Sequence, residues 1–366
     1  MLLKSLLQTA SLLPLFYTIT SAQTACNNSP SLCSKAYNNI THLGAHDSAF
    51  LRDQSTSFST AGNQYFNTTT QLAAGVRLLS AQIHKANGTN GGSEWHLCHT
   101  TCDLLDAGTL AKWLGEIKAW MDKTPNEVVT LLLVNSDNAS GNDLGAEFTA
   151  SGISKYAYAP PAPSKPPTTW PTLDSLISNN TRLITFVASL GTASSNYPYL
   201  LDEFTHVFEN KFETTSPGNY SCQPDRPSDV SGQPLEALKS GRMFLQNHFL
   251  YSTQLFGLET PNTTYIKTTN GPTGTGSLGE QLGECRNLYG KAPTFVLVDF
   301  FNVGPALQSI DGINGVSGAV GRQSVSAEIL EQGVARNDGT DKGAGVKRRA
   351  SWGVLVLATG VGFFML

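Results

Sequence analysis

The chain has 366 residues, with 24 Lys and Arg against 28 Asp and Glu, a net charge of −4 and only 14% charged residues. That balance offers no basic stripe for nucleic acid, and the length allows a sizeable core within the size of one α/β barrel. Sparse charge with abundant Gly, Ser, Thr and Asn suits a glycosylated extracellular surface better than a cytosolic one.

Residues 1–22 read as a cleavable secretory signal, with Lys4, then an uncharged apolar stretch from Ser5 to Tyr17, then the small residues Thr20, Ser21 and Ala22. Residues 23–336 are expected to form a single barrel domain. At the far end Trp352–Leu366 is uncharged and apolar but spans only about 15 residues, short of the ~20 of a transmembrane helix. Lys347, Arg348 and Arg349 precede it, and before them lie the small-residue triplets at Asn337 and Gly343. This is the layout of a glycosylphosphatidylinositol (GPI) attachment signal over residues 337–366, with Asn337 or Gly343 as the attachment residue. The expected protein is secreted and tethered at the cell surface through that lipid.

Glycosylation sequons at Asn27, Asn39, Asn67, Asn87, Asn138, Asn179, Asn219 and Asn262 agree with secretion. The six cysteines, Cys26, Cys33, Cys98, Cys102, Cys222 and Cys285, are even in number, which in an oxidising compartment favours disulfides. Local closure suggests Cys26 with Cys33, Cys98 with Cys102 and Cys222 with Cys285, one of fifteen connectivities. No second Cys/His cluster completes a zinc site around Cys98, His99 and Cys102.

In chain order, apolar runs bounded by turn residues predict buried parallel strands at Val76–Ile83, Val128–Val134, Arg182–Val187, Arg242–Leu245 and Thr294–Val298. Between them, Leu110, Trp113, Leu114, Ile117 and Met121 recur at helical spacing and predict a helix over Thr109–Met121. Shorter helices are expected at Leu173–Ser178 and Ser324–Gln332. Tyr156–Pro171 and Asn270–Leu278 read as irregular excursions. Alternating strands and helices over this length predict an α/β fold, a (β/α)8 barrel of the TIM type or a distorted form of it.

The chemistry concentrates in two segments, Ile40–Ser48 (ITHLGAHDS) and Trp95–Cys102 (WHLCHTTC). His46 and His99 each follow a short strand, where barrel enzymes place their catalytic residues. Two histidines of near-neutral pKa can act as general base and general acid without a metal. Asp299 lies within an apolar strand, where a carboxylate is costly unless paired.

Thr41–Ser48, then Gly75-Val76-Arg77-Leu78-Leu79, His99 and Asn126–Thr130 together resemble the X region of phosphatidylinositol-specific phospholipase C. The likeness is to the small, calcium-independent bacterial kind and its secreted fungal relatives, and it is dense over Ile40–Val134. The resemblance implies that His46 is the base that activates an inositol 2-hydroxyl and His99 the acid that protonates the departing lipid alcohol. It further implies that Asp299 orients His46 and that Asp47 is a second carboxylate beside the phosphate. It implies no cofactor, with an inositol phospholipid or related phosphodiester as substrate.

This sequence departs from the family where an aspartate and a phosphate-clamping arginine are expected, and carries Ser80 and Gln82 instead. Gln82 keeps a hydrogen-bond donor, and His84, on the same strand face, is the expected replacement cation. The inositol-contacting lysine would fall near Val134 and Asn135, where no cation occurs. Neutral Ser80 and Gln82 also remove the ligands of a metal-dependent phosphodiesterase of the same superfamily. The alternative function is a GPI-anchored pseudoenzyme that binds lipid headgroups or cell-wall glycans.

Overall fold

The computed structural model describes residues 24–330 except 89–91, 191 and 255–256. The secretory signal and the C-terminal attachment segment, with Asn337 and Gly343, lie outside the described residues. None of the described helices is long and apolar enough to cross a membrane.

The strands are β1 (His42–Ala45), β2 (Leu78–Asn87), β3 (Ser93–Cys98), β4 (Asp106–Thr109), β5 (Val129–Asn135), β6 (Leu183–Ala188) and β7 (Leu200–Asp202). They continue as β8 (Val207–Asn210), β9 (Pro224–Arg226), β10 (Met243–Asn247), β11 (Tyr251–Thr253), β12 (Glu259–Pro261) and β13 (Phe295–Val298). The helices are α1 (Thr68–Ala74), α2 (Leu110–Lys123), α3 (Gly141–Ser151), α4 (Leu173–Ser178), α5 (Glu203–His206), α6 (Pro234–Lys239), α7 (Ile266–Thr269), α8 (Leu278–Tyr289) and α9 (Ala306–Asn314). All five apolar runs form strands, and the helices expected at Thr109–Met121 and Leu173–Ser178 appear as α2 and α4.

The sheet runs β7-β6-β5-β2-β1-β13-β10-β8-β9, every neighbouring pair up to β8 parallel and β9 antiparallel at the edge. The parallel strands therefore follow the circular order of an eight-stranded barrel. Among the described residues, however, no ladder joins β7 to β8, so the curled sheet stays open at that seam. The single helical turn α5 stands between the two strands. The antiparallel strands β3 and β4 hang from β2, which runs on past the rim of the barrel.

Strand alternation sorts the side chains into two layers. Leu79, Ala81, Leu131, Leu133, Val296 and Val298 point outward into the cluster shared with α1, α2, α3 and α9. Leu78, Leu132, Ile184, Phe186, Leu245, Phe295 and Leu297 fill the interior. Gly44 of β1 is small of necessity, since a Cβ there would lie 2.6 Å from Leu297 and 2.8 Å from Leu78. The same inward parity continues to the C-terminal strand ends, where it delivers the residues described below.

Arg77 and Glu127, part of the resemblance motifs, lie at the start of β2 and just before β5. The Arg77 guanidinium is buried; its Nε donates to Glu127 at 2.8 Å and its Nη1 to the carbonyls of Leu72 and Val76. These residues are scaffold at the bottom of the barrel.

The segment expected as a helix from Ser324 shows none over its described part, through Leu330. The carbonyls of Ser326 and Glu328 instead accept hydrogen bonds from Asn302 Nδ2, and Leu330 packs into the core, so this segment is a strap. All three expected disulfides are present, Cys26–Cys33, Cys98–Cys102 and Cys222–Cys285.

Among the sequon asparagines Asn39, Asn67, Asn87, Asn138, Asn179 and Asn219 are exposed and Asn262 is half-buried. Asn27 does not meet the expectation of an exposed glycan position. It is buried, and its Oδ1 accepts the Val128 N–H at 2.7 Å.

Replacing Arg77 with methionine should cost roughly 3 kcal/mol, because the half-buried Glu127 carboxylate and the buried oxygens of Leu72, Val76 and Asn28 all lose their donor. Urea unfolding reads this directly, and a loss below ~1 kcal/mol would contradict a buried structural pair.

Candidate active site

The parallel register of β1 and β13 pairs Ala45 with Val298, so the next residues, His46 and Asp299, emerge side by side. His46 Nδ1 lies 2.9 Å from Asp299 Oδ1. The amide Nδ2 of Asn63, a fully buried turn residue, donates to the same oxygen at 3.0 Å. Gln64 next to it donates to the carbonyls of His46 and Val298. On the far side Asn270 Nδ2 donates to the carbonyls of Asp299 and Phe300. The His46 ring stacks on Phe249, centroids 3.6 Å apart and planes within 3°. Held so, Nδ1 carries the proton toward Asp299 and Nε2 presents a lone pair to the cavity, the tautomer a base needs.

Asp47 turns the chain with a left-handed backbone, φ 47°, a region Asp tolerates better than most residues. Its N–H donates to Ser80 Oγ at 2.8 Å, while the Ser48 N–H donates to the Ser80 carbonyl at 2.7 Å. Ser80 thus locks the turn after β1 onto β2. The Asp47 carboxylate is buried, with Oδ2 3.6 Å from His46 Nε2 and 3.5 Å from His99 Nε2. The two imidazole nitrogens are therefore no more than about 7 Å apart. His99 arrives from a different element, the loop after β3 that the Cys98–Cys102 disulfide closes. Its ring meets the edge of Phe50, and its Nδ1 is buried without a partner.

The two rings titrate in opposite directions. Burial disfavours the charged form of His46, but the carboxylates of Asp47 and Asp299 outweigh it and raise the pKa above its ordinary value. Burial dominates at His99 and lowers its pKa; Asp47 opposes that shift and the His46 charge reinforces it.

Two sequence expectations for substrate contacts change. His84 does not line the cavity. It shares the inward parity of Gln82, but β2 has by then passed the rim, and its Nδ1 sits 3.4 Å from Asp137 Oδ1. Gln82 does border the cavity, yet its Nε2 donates to Asp47 Oδ2 at 2.9 Å and its Oε1 accepts the Thr100 N–H at 2.8 Å.

The cavity, about 140 Å³, has His46, Asp47 and Gln82 on one wall and Glu203, Glu209 and Arg226 among the residues of the other. Both glutamates are buried, and Arg226 of the edge strand β9 pairs with Glu209. The guanidinium lies over the Phe212 ring at 4.4 Å. Burial pushes the Glu203 carboxyl well above the usual range, the nearby Glu209 charge adds to this, and Arg226 opposes it. Glu203 Oε1 has no hydrogen-bond partner, whereas Glu209 is engaged at both oxygens, Oε1 by Arg226 and Oε2 by Asn247 Nδ2, which donates at 2.8 Å. These residues, and Asn63, escaped the sequence reading. The available signal was inward parity at the ends of the short strands, Glu209 in β8 and Asn247 in β10. No cluster of three or more His, Cys, Asp or Glu capable of holding a metal occurs among the described residues.

Fold and site together define an open α/β barrel with a histidine–aspartate pair and a second histidine at the C-terminal strand ends. The "PI-PLC X 1" family matches residues 32–314, and the chain belongs to that family. A PI-PLC X domain-containing protein 1 of Arthroderma benhamiae is 37% identical over 298 residues, 81% of this chain and 92% of that one. An uncharacterized secreted protein of the same organism is 35% identical over 282 residues, 76% of this chain and 60% of its own length. Among solved structures, the phosphatidylinositol-specific phospholipase C of Listeria monocytogenes shares the fold. Its TM-score is 0.50 and its identity 16%, over 78% of this chain and 95% of that one.

Replacing Asp299 with asparagine removes one of the two carboxylates that raise the His46 pKa and leaves Asp47 alone to oppose burial. Histidine NMR titration should then show His46 moving to lower pKa with His99 little changed; an unmoved His46 would contradict the pairing.

Proposed function

We propose that the protein is a metal-independent phosphodiesterase of the phosphatidylinositol phospholipase C type, acting at the cell surface on an inositol phospholipid or a related phosphodiester. The observation that carries this reading is the approach of His46 Nε2 and His99 Nε2 to one carboxylate oxygen, Asp47 Oδ2, at 3.6 and 3.5 Å, with His46 Nδ1 backed by Asp299. In-line displacement at phosphorus needs a base at the attacking oxygen and an acid at the leaving oxygen, on opposite sides of one phosphate. Nitrogens about 7 Å apart or less can bracket such a group.

His46 takes the proton of a hydroxyl neighbouring the phosphate on the headgroup. That oxygen bonds to phosphorus and closes a cyclic phosphate, and the bond to the lipid oxygen breaks. His99, protonated, gives its proton to the departing alcohol. The phosphate anion near His99 opposes the effect of burial on that ring and supports its protonated form in the complex.

The opposite wall supports a polyhydroxyl headgroup. The unpartnered Glu203 oxygen accepts a hydroxyl hydrogen, and Glu209, held by Arg226 and by the Asn247 amide, fixes the wall beside it. The rim faces the lipid surface through the half-exposed side chains of Leu104, Val134 and Leu258. Secretion and the GPI anchor, which agree with a cell-surface substrate, rest on the sequence signals at the two termini.

His46→Ala should lower turnover of phosphatidylinositol vesicles by at least ~10²-fold while leaving the melting temperature within a few degrees. Chelators should have no effect. Unchanged turnover in the variant, or binding of headgroup by the wild type with no turnover, would overturn the proposal; the second outcome is that expected of a pseudoenzyme.

A further inference from the structure

Gln82 stands at the centre of the catalytic wall, and its side chain makes two bonds to different parts of the molecule. Its Nε2 donates to Asp47 Oδ2 and its Oε1 accepts from Thr100, the residue after His99. Thr100 has a left-handed backbone, φ 61°, which a β-branched residue adopts only when its surroundings hold it there. Around it the Cys98–Cys102 disulfide closes a ring containing His99, Thr100 and Thr101, and the Thr101 N–H donates to the His99 carbonyl at 2.6 Å. The ring is anchored to the antiparallel extension by the His99 N–H, which donates to the Leu105 carbonyl at 2.9 Å. Apart from the Asp47 oxygen, the His99 ring has no polar partner, and its Nδ1 has none at all.

Gln82 is thus the side-chain bridge between the backbone that carries His99 and the carboxylate that His99 faces. We infer that Gln82 is a positioning residue for the general acid: it sets the His99 loop and the Asp47 carboxylate at their mutual distance, and it does not clamp the phosphate. The inference rests on the phosphodiesterase reading. An amide suits this bridge because it offers a donor at one end and an acceptor at the other. A cation here would satisfy Asp47 but could accept nothing from Thr100.

The leaving group provides the test. An alkyl lipid alcohol leaves poorly without a proton, whereas an aryl alcohol such as p-nitrophenol leaves without one, so general acid catalysis matters to the first substrate and little to the second. Gln82→Leu, which removes both bonds, should lower turnover of phosphatidylinositol by roughly 10²-fold. Turnover of the p-nitrophenyl ester of inositol phosphate should fall by less than about threefold, since His46 and the Asp299 that orients it are untouched. Gln82→Glu keeps the shape. Protonated at acid pH, it reproduces both bonds; ionised, it loses the donor and repels Asp47. Its activity on the lipid relative to wild type should therefore rise as pH falls.

Histidine NMR reads the same claim without turnover. In Gln82→Leu the His99 pKa should rise toward its ordinary value, because Asp47 loses a donor and the loop gains access to water. Equal losses on both esters with an unmoved His99 would overturn the inference and mark Gln82 as a general structural or substrate-binding residue. A wild type that turns over neither ester would defeat the proposed function, while the His99 titration would still decide whether Gln82 positions the ring.

Discussion

The site depends on one register. β1 and β13 pair in parallel with Ala45 against Val298, so the chain has to present His46 and Asp299 as neighbours at the barrel mouth. A carboxylate buried to that depth is costly unless paired, and the imidazole and the Asn63 amide supply its partners at Oδ1. A shift of one residue would send Asp299 outward into the helix-facing layer. Gly44, which makes room for Leu78 and Leu297, keeps the two strands close enough to hold this register.

From that pair outward, the site is organised by carboxylates rather than by free cations. Asp47 sits between two imidazoles and the Gln82 amide, and it occupies the region to which all three point. Arg226 is the cation at the cavity, but it is matched by Glu209, with Glu203 close by. The charges lining the cavity are thus met by partners on the protein itself, Arg226 by Glu209 and Asp47 by the Gln82 amide. A neutral residue at position 82 is consistent with this, since an arginine there would compete with His99 for Asp47.

Much of this was legible from the sequence for physical reasons that can be named. The long parallel strands are buried on both faces, so Val128–Val134 and Thr294–Val298 stand out as apolar runs. The helix α2 has enough turns for its 3.6-residue period to show. His46, His99, Asp47 and Asp299 were readable because they sit in motifs whose chemistry requires those residue types. Short elements were not legible: β7, β8 and β9 have three or four residues each, too few for alternation to place Glu203, Glu209 and Arg226. His84 was misplaced although its parity was right, because parity does not say where a strand leaves the barrel. Asn63 lies in a turn between elements, and only tertiary packing brings it to Asp299. The segment from Ser324 failed as a helix because Asn302 claims its carbonyls.

The central claim is that His46, oriented by Asp299, drives attack by a hydroxyl of the headgroup itself. Phosphorus NMR of the products formed from phosphatidylinositol by the purified protein tests it most directly. The account predicts that the resonance of a five-membered cyclic inositol phosphate appears first, with diacylglycerol released in equal amount. A product mixture that contains only the acyclic phosphate from the start would contradict it, since that requires water, and not the neighbouring hydroxyl, as the nucleophile.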